Sequence, residues 1–247
     1  KVHKVRPETD QEEVAQLVAQ YNYLAVPVVD SDNILLGIVT VDNVVDVIRE
    51  EATEDFLKMA GAGKDREILL KSSWDSAKIR IPWLLASWAG GIIASYVIGN
   101  FENILKNTIV LVSFIPIIIG MGGNIGTQSS TIIVRGMATG RITLGNEGTI
   151  ILKELKTGLI LGLLYGLMLG LFAGFRFLNT EPMIGLVVGL SICSSMIIAT
   201  GLGTLTPLVL RKLEIDPAIA TGPFVTTSID ILGVLLYFLI AGLLLQV

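Results

Sequence analysis

The sequence is poor in the residues on which most enzyme active sites depend. Its 247 residues include one cysteine and one histidine, Cys193 and His3. A single cysteine excludes an intramolecular disulfide, and we expect Cys193, inside an apolar run, to be a small buried residue. Charged residues make up only 16% of the chain, and the net charge is -4. Because the apolar part has no histidine and no nucleophile paired with a base, we expect neither an enzyme nor a nucleic-acid partner.

Apolar residues are abundant instead, and they are gathered into long runs. They make up 52% of the sequence, and the mean hydropathy is +0.71. Runs of this length predict an α-helical integral membrane protein, in contact with lipid and with five transmembrane helices per subunit. We place this transmembrane pore domain at 81–247, with spans at about 81–100, 108–135, 157–178, 183–210 and 222–245.

The basic residues of the loops predict the orientation in the membrane. They precede the first span, separate spans two and three, and separate spans four and five, whereas the other loops have only Lys106 and Arg176. Short cytoplasmic loops carry an excess of lysine and arginine. We therefore expect a multi-pass protein of the cell (inner or plasma) membrane, with Lys1 in the cytoplasm and Val247 outside.

Residues 1–50 have the composition of a soluble α/β module. Asp10 precedes an amphipathic helical pattern. Two β-rich runs at 25–29 and 34–39 flank a turn cluster and predict a hairpin, after which a second helix begins near Val41. Because the sequence starts at Lys1 rather than at methionine, we expect it to be part of a longer chain.

Residues 51–80 are predicted to connect this module to the first span. A charged helix is expected over 49–66, with its end set by Gly61 and Gly63. Four acids fall within six residues of this helix, namely Glu50, Glu51, Glu54 and Asp55. They are either a solvated helix face or a set of carboxylates that together hold a hard divalent cation such as magnesium or calcium.

The last apolar run contains one carboxylate, Asp230, roughly 12 Å from the start of the predicted span. An aspartate at mid-membrane costs about 2.5 to 3.5 kcal/mol even on insertion scales, so it should face the bundle interior or a water-filled path. Gly222, Thr226 and Asp230 recur every four residues, with Gly233 close behind, which places small and polar groups on one helix face. We interpret this face as part of a cation path.

The second span combines Pro116 with a run of small and polar residues from Gly120 to Thr131. Four glycines in such a run weaken a helix, so we expect loosened backbone whose free carbonyls face a hydrated cation. The alternative is close packing of small residues.

Small residues also mark the next two spans. In the third span, glycine recurs every four residues from Gly158 to Gly174, which predicts close helix packing. In the fourth span we expect five hydroxyl side chains to form interhelical hydrogen bonds; the alternative is that they form a pore wall. They are Ser191, Ser194, Ser195, Thr200 and Thr204.

Three motifs resemble those of known families. V-P-V-V-D at 26–30 followed by G-I-V-T-V-D at 37–42 resembles a cystathionine-β-synthase (CBS) motif, a sensor module that works in pairs. P-I-I-I-G-M-G-G-N-I-G-T-Q-S-S-T-I-I-V-R-G at 116–136 and D-P-A-I-A-T-G-P-F-V-T-T-S-I-D at 216–230 resemble the MgtE family of magnesium channels and transporters. We expect the partner CBS motif upstream of Lys1, and a complete pair would be a possible nucleotide site.

The resemblance implies a homodimer in which the pore lies on the two-fold axis, between the second and fifth spans of both subunits. Asp230 would be the carboxylate of the Mg²⁺ site. Backbone oxygens near Gly120, Gly123 and Thr226 would lie around it, together with the polar groups of two further residues, Asn124 and Thr127.

The resemblance also implies a regulatory Mg²⁺ site that holds the closed state. Asp216, in the loop before the fifth span, would contribute to it opposite the connecting helix. The other candidates are assigned by position only and are Asp46, Glu51, Glu54 and Asp55.

Together these observations predict a magnesium-selective channel that moves Mg²⁺ into the cytoplasm and is gated by cytosolic Mg²⁺. The alternative is a proton- or potential-coupled carrier of divalent cations in which Asp230 is the titrating group. Such carriers often contain inverted repeats, and the five unequal spans show no convincing internal repeat.

Overall fold

The structure is a computed structural model that describes residues 3–65, 67–142 and 145–246. Lys1 and Val247, for which the sequence predicts opposite sides of the membrane, lie outside the described residues. Residues 3–59 form a small α/β head, and the described residues that follow it form helices joined by turns and loops.

The head is built as the sequence predicts. Helix α1 (Gln11–Tyr21) is capped by Asp10, whose side chain accepts a hydrogen bond of 2.8 Å from the backbone N–H of Glu12. Strands β1 (Ala25–Val29) and β2 (Leu35–Thr40) form an antiparallel hairpin. Helix α2 follows at once, and its residue Val44 is buried against valines of α1 and β1.

Helix α2 (Val41–Met59) is one continuous helix. It includes the last helix of the CBS-like module and the first part, 49–59, of the charged helix predicted at 49–66, so that helix ends seven residues earlier than predicted and the predicted boundary between residues 50 and 51 falls inside α2. Gly61 and Gly63, which follow its end, have φ angles of +67° and +87°. Glycine adopts this left-handed conformation at low cost, which is why the helix ends here.

Within the described residues, five helices are long and apolar enough to cross a membrane, and they confirm the predicted number of spans. A short helix, α4 (Glu102–Asn107), and a 3₁₀ segment (Ile109–Phe114) connect the first to the second, and another 3₁₀ segment (Pro217–Thr221) precedes the last. The five are α3 (Ser73–Asn100), α5 (Ile115–Ala138), α6 (Glu147–Arg176), α7 (Ile184–Lys212) and α8 (Pro223–Leu245).

The glycine ladder of α6 packs directly against the backbone of α7, as predicted. A Cβ atom added to Gly166 would lie 2.6 Å from the carbonyl oxygen of Gly189, and one added to Gly170 would lie 2.8 Å from that of Gly185. A Cβ at Gly162 would meet the carbonyl oxygen of Cys193 at 2.8 Å. Since real side chains do not tolerate such distances, glycine is required along this contact.

The predicted interhelical hydrogen bonds of α7 are wrong for four of the five residues, because three hydroxyl groups bond within the helix and the fourth has no partner in the part of the chain that the structure describes. Ser191, Thr200 and Thr204 each donate to a carbonyl oxygen four residues earlier, at 2.7 Å. This local bond satisfies a buried hydroxyl without a partner helix. Ser195 is 2% exposed, and among the described residues its Oγ has no hydrogen-bond partner.

Candidate functional site

Asp230 lies where α8 crosses α5, and the adjacent isoleucine fixes that crossing. Ile229 is 2% exposed and fills the space left by two glycines of α5, Gly122 and Gly126. A Cβ at Gly122 would lie 3.1 Å from Ile229 Cγ2. The next residue of α8 therefore comes beside Gly123, where an added Cβ would lie 3.6 Å from Asp230 Oδ1.

The Asp230 carboxylate is half-buried. In the part of the chain that the structure describes, it makes no hydrogen bond and no ion pair with another side chain. A membrane carboxylate normally has a protein partner or faces water. Both of its oxygens are thus available to water or to a hydrated cation.

Helix α5 is continuous through the glycine-rich run, so the predicted loosening of its backbone is wrong. Tertiary contacts override the low helix propensity of glycine here. Ile229 packs against Gly122 and Gly126, and the backbone of Gly203 packs against Gly126. The irregular backbone lies earlier, in the 3₁₀ segment before Pro116.

The other predicted ion-site residues lie on α5 and α8 near this crossing. Thr127 Oγ1 donates to the carbonyl oxygen of Gly123 at 2.9 Å, and Thr226 Oγ1 donates to that of Pro223 at 3.2 Å. Thr226 lies one turn before Asp230. Their hydroxyl oxygens keep lone pairs that can accept hydrogen bonds from water.

Gly120 and Asn124 are exposed, whereas Gly122 and Gly126 on the other side of α5 are buried. The face of α5 that carries the predicted ligands is therefore open in a single subunit. Their roles as ligands remain predictions.

A second group of acids lies between the head and the membrane helices. Glu12 of α1, Asp55 of α2 and Asp216 line a cleft of about 320 Å³, which we call the acid cleft. Burial, followed by repulsion from Asp216, raises the pKa of Asp55 to about 6. Burial, followed by repulsion from Asp55 and Glu51, raises the pKa of Glu12. The carboxylates thus repel one another, and the opposing effect of Lys58 on Asp55 is smaller than that of Asp216.

Lys58 supplies one positive charge at this position. Its ammonium group pairs with Glu54 at 2.8 Å and with Asp216. The second carboxylate oxygen of Asp216 accepts a hydrogen bond of 2.8 Å from the backbone N–H of Ala218 and so caps the 3₁₀ segment before α8.

The five predicted regulatory acids are brought together only in part. Asp55 and Asp216 face each other, and Glu54 approaches Asp216 through Lys58. Glu51 accepts a hydrogen bond from Gln11 of α1 instead, and Asp46 is exposed on α2. Among the described residues, no three acidic, histidine or cysteine side chains are close enough to hold a metal ion by themselves.

Sequence reasoning missed two members of this region. Glu12 faces the cleft because α1 packs beside α2, which no local pattern reveals. Lys58 could have been found, since it follows Glu54 by four residues on one helix and such pairs commonly interact.

The end of α2 contacts the start of α8. A Cβ added to Gly61 would lie 3.2 Å from Pro223 Cδ, and one added to Gly222 would lie 3.5 Å from the carbonyl oxygen of Lys58. The helix that contributes Asp55 to the acid cleft is therefore in contact, at its end, with the start of the helix that carries Asp230.

Comparison with known proteins agrees with both resemblances, the one to the CBS motif and the one to the MgtE family. A family model described as a divalent cation transporter, MgtE, matches residues 115–240, and a CBS domain model matches residues 1–50. The chain belongs to the MgtE family. This is a family of transporters and not of enzymes, and the resemblance seen in the sequence is confirmed.

Relatives in this family align with nearly the whole chain. A magnesium transporter MgtE of Bacillus subtilis (strain 168) is 40% identical over 232 residues, which are 94% of this chain and 51% of that protein. The proteins of the same name from Thermus thermophilus and Enterococcus faecalis are 38% and 39% identical over 100% and 95% of this chain, and 54% and 51% of their own length. The chain thus spans about half the length of the curated relatives it matches.

Proposed function

We propose that the chain forms the conducting part of a magnesium channel, with Asp230 at the ion site. The observation that carries the proposal is a membrane carboxylate without a protein partner, placed against a glycine of the facing helix. The names of the relatives, each a magnesium transporter, support Mg²⁺ as the ion.

Mg²⁺ loses its water ligands reluctantly and prefers octahedral oxygen coordination. A path that binds the hydrated ion through water meets this preference. The Asp230 carboxylate would accept hydrogen bonds from the water shell, as would the carbonyl oxygens near Gly120, Gly123 and Thr226. The hydroxyl of Thr127 and the amide of Asn124 would complete the lining.

A homodimer follows from the same geometry as part of the proposal. The predicted ligands occupy the open side of α5 in one subunit, and a second copy on that side would enclose them. Two Asp230 carboxylates across the axis would favour divalent over monovalent cations. Water between the carboxylates and the ion keeps binding weak enough for the ion to leave.

The acid cleft would provide regulation by cytosolic Mg²⁺. Glu12, Asp55 and Asp216 are among the five acids that line it, together with Arg211, and Lys58 neutralises part of the charge of Asp216. A bound cation would neutralise more and would favour the contact between α2 and α8. Since the cation would bind the docked arrangement best, high cytosolic Mg²⁺ would favour the closed state.

The proposed orientation places the head and this cleft in the cytoplasm. It follows from the loop charges. A cysteine introduced at Asn146 should then be labelled from the cytoplasmic side, and one at Glu181 from outside; the reverse pattern would reject the orientation.

The unpartnered Asp230 also suits a carrier coupled to protons. Flux measurements on the purified wild-type protein in liposomes loaded with a magnesium-sensitive dye separate the two. A channel should take up Mg²⁺ with equal pH on both sides, faster at an inside-negative potential. Uptake only under a pH gradient would favour the carrier, and uptake equal to that of empty liposomes would reject both.

A further inference from the structure

Glu154 is a second buried carboxylate among the membrane helices, and the proposed ion path does not use it. Its side chain is 7% exposed, about 10 Å along α6 from the start of the helix. Lys153 and Lys156, on either side, are exposed. An acid so buried needs compensation, because an apolar residue would occupy the same space at lower cost.

The compensation comes from the helix that lines the ion path. Ser129 of α5 donates a hydrogen bond from Oγ to Glu154 Oε2 at 3.0 Å. Ser129 is itself 2% exposed. It follows Thr127 by two residues, which is about 200° around the helix. The bond therefore holds α5 on the side of the helix opposite Thr127.

A second hydrogen bond holds the other end of the same span. Tyr237 of α8 is fully buried and donates from its hydroxyl to the carbonyl oxygen of Leu111 at 2.9 Å. Between these two bonds, α5 contacts its neighbours through Gly122 and Gly126. Contacts of small apolar groups fix how closely helices approach, whereas a hydrogen bond also fixes their rotation and depth.

We propose that Glu154 is a positioning residue for ion conduction. Through Ser129 it sets the rotation of α5, and so the position of Gly123 and Thr127 relative to Asp230. This inference rests on the proposed function for its effect on flux, but the geometry that it asserts is testable without flux.

Two adjacent serines offer a matched pair of variants. Ser129 makes the bond to Glu154, whereas the Oγ of Ser130, also fully buried, has no partner among the described residues. Glu154→Gln keeps a carbonyl oxygen that can accept from Ser129, and Glu154→Ala removes it. The set for liposome reconstitution is S129A, S130A, E154A, E154Q and the S129A/E154A double variant.

Magnesium flux should fall about five- to tenfold in S129A and in E154A, and the double variant should be no worse than either, since one bond is lost in all three. E154Q should restore most of the flux, and S130A should match wild type. Wild-type flux in S129A and E154A, an equal loss in S130A, or an E154Q as weak as E154A would each overturn the inference.

Rotation of α5 is measured separately, in a Cys193→Ala background. Asn124 lies on the side of α5 that lines the proposed water-filled path, whereas Ile125 is 7% exposed in the interior of the subunit, so a water-soluble maleimide should label a cysteine at 124 much faster than one at 125. In S129A and E154A, which lose the bond to Glu154, the difference in labelling rate between positions 124 and 125 should become smaller. In S130A and E154Q it should stay as in wild type. An unchanged difference overturns the positioning role. If the wild type conducts no magnesium, the proposed function fails, and the labelling still decides whether Glu154 orients α5.

Discussion

Lys58 of α2 forms an ion pair with Asp216, a residue 158 positions later in the sequence that caps the segment leading into α8. This pair joins the head to the helix of the proposed ion site. Because Asp216 also faces Asp55, its carboxylate takes part both in the ion pair with Lys58 and in the repulsion that a regulatory cation would relieve.

Asp216→Asn should therefore weaken the inhibition of the channel by internal Mg²⁺. The change removes one of the two ion-pair partners of Lys58 and one carboxylate of the acid cleft, so cation binding should stabilise the docked α2 less. Patch recordings on the full-length protein should show higher open probability at high internal Mg²⁺. Glu214→Gln, at an exposed acid two residues earlier, is the control; inhibition equal to wild type in Asp216→Asn would contradict the regulatory proposal.

The raised pKa of Asp55 predicts a pH dependence of stability in the absence of divalent cations. Burial and Asp216 move this pKa from 3.8 to about 6, so between these values the folded protein binds more protons than the unfolded chain. The free energy of unfolding should thus fall as the pH rises from about 4 to about 6, by about 1 kcal/mol after allowance for solvent screening. Thermal unfolding with chelator checks this.

Asp55→Asn should reduce that pH dependence, because the group that titrates in this window is gone. Glu12, whose pKa is also raised, should leave a residual effect of the same sign. Asp46→Asn, on the same helix but exposed, should behave as wild type. A pH profile of Asp55→Asn identical to that of wild type would show that Asp55 does not titrate as described.

Asp230→Asn should give a dimer that assembles but conducts little magnesium. Asparagine keeps the shape and hydrogen-bonding capacity of the side chain but removes the charge that attracts the hydrated ion. Flux through reconstituted protein should fall at least about tenfold, equivalent to about 1.4 kcal/mol in the barrier. Glu102→Gln, which removes an exposed carboxylate of α4, should have no such effect. Full flux through Asp230→Asn would reject the assignment of the ion site.

Gly166→Ala should destabilise the packing of α6 on α7. The added methyl group would lie 2.6 Å from the carbonyl oxygen of Gly189, so the helices must separate. Overpacking of this kind costs about 1–3 kcal/mol. Gly148→Ala on the same helix, where a Cβ would meet nothing within 4 Å, is the matched control. Equal melting temperatures for the two variants would show that the backbone contact is not required.

Local patterns in the sequence were sufficient to predict the helices and strands and some of the contacts between them. Asp10 predicted the start of α1, the two apolar runs predicted the hairpin, and long apolar runs predicted five spans. The glycine ladder predicted the contact of α6 with α7. In each case one short segment contains the whole physical cause, such as a cap, an alternation or a spacing of four.

The errors arose where the cause lies in another element. Glycines at Gly122 and Gly126 indicated a weakened helix, but Ile229 and α7 hold α5 in regular form. The hydroxyl of Thr200 is an exception, since its acceptor lies in its own helix. Neither Glu12 in the acid cleft nor the bond between Ser129 and Glu154 leaves a local pattern, because each depends on how helices distant in sequence are packed.

The continuity of α2 has a mechanical consequence. Its 19 residues form a rod about 28 Å long, with Val44 fixed in the core of the head and Met59 packed against the ends of α5 and α7. A rigid rod of this length amplifies motion, since a tilt of about 10° at one end displaces the other by about 5 Å. Small rearrangements of the head would thus reach the start of α8 as displacements comparable to one helical turn.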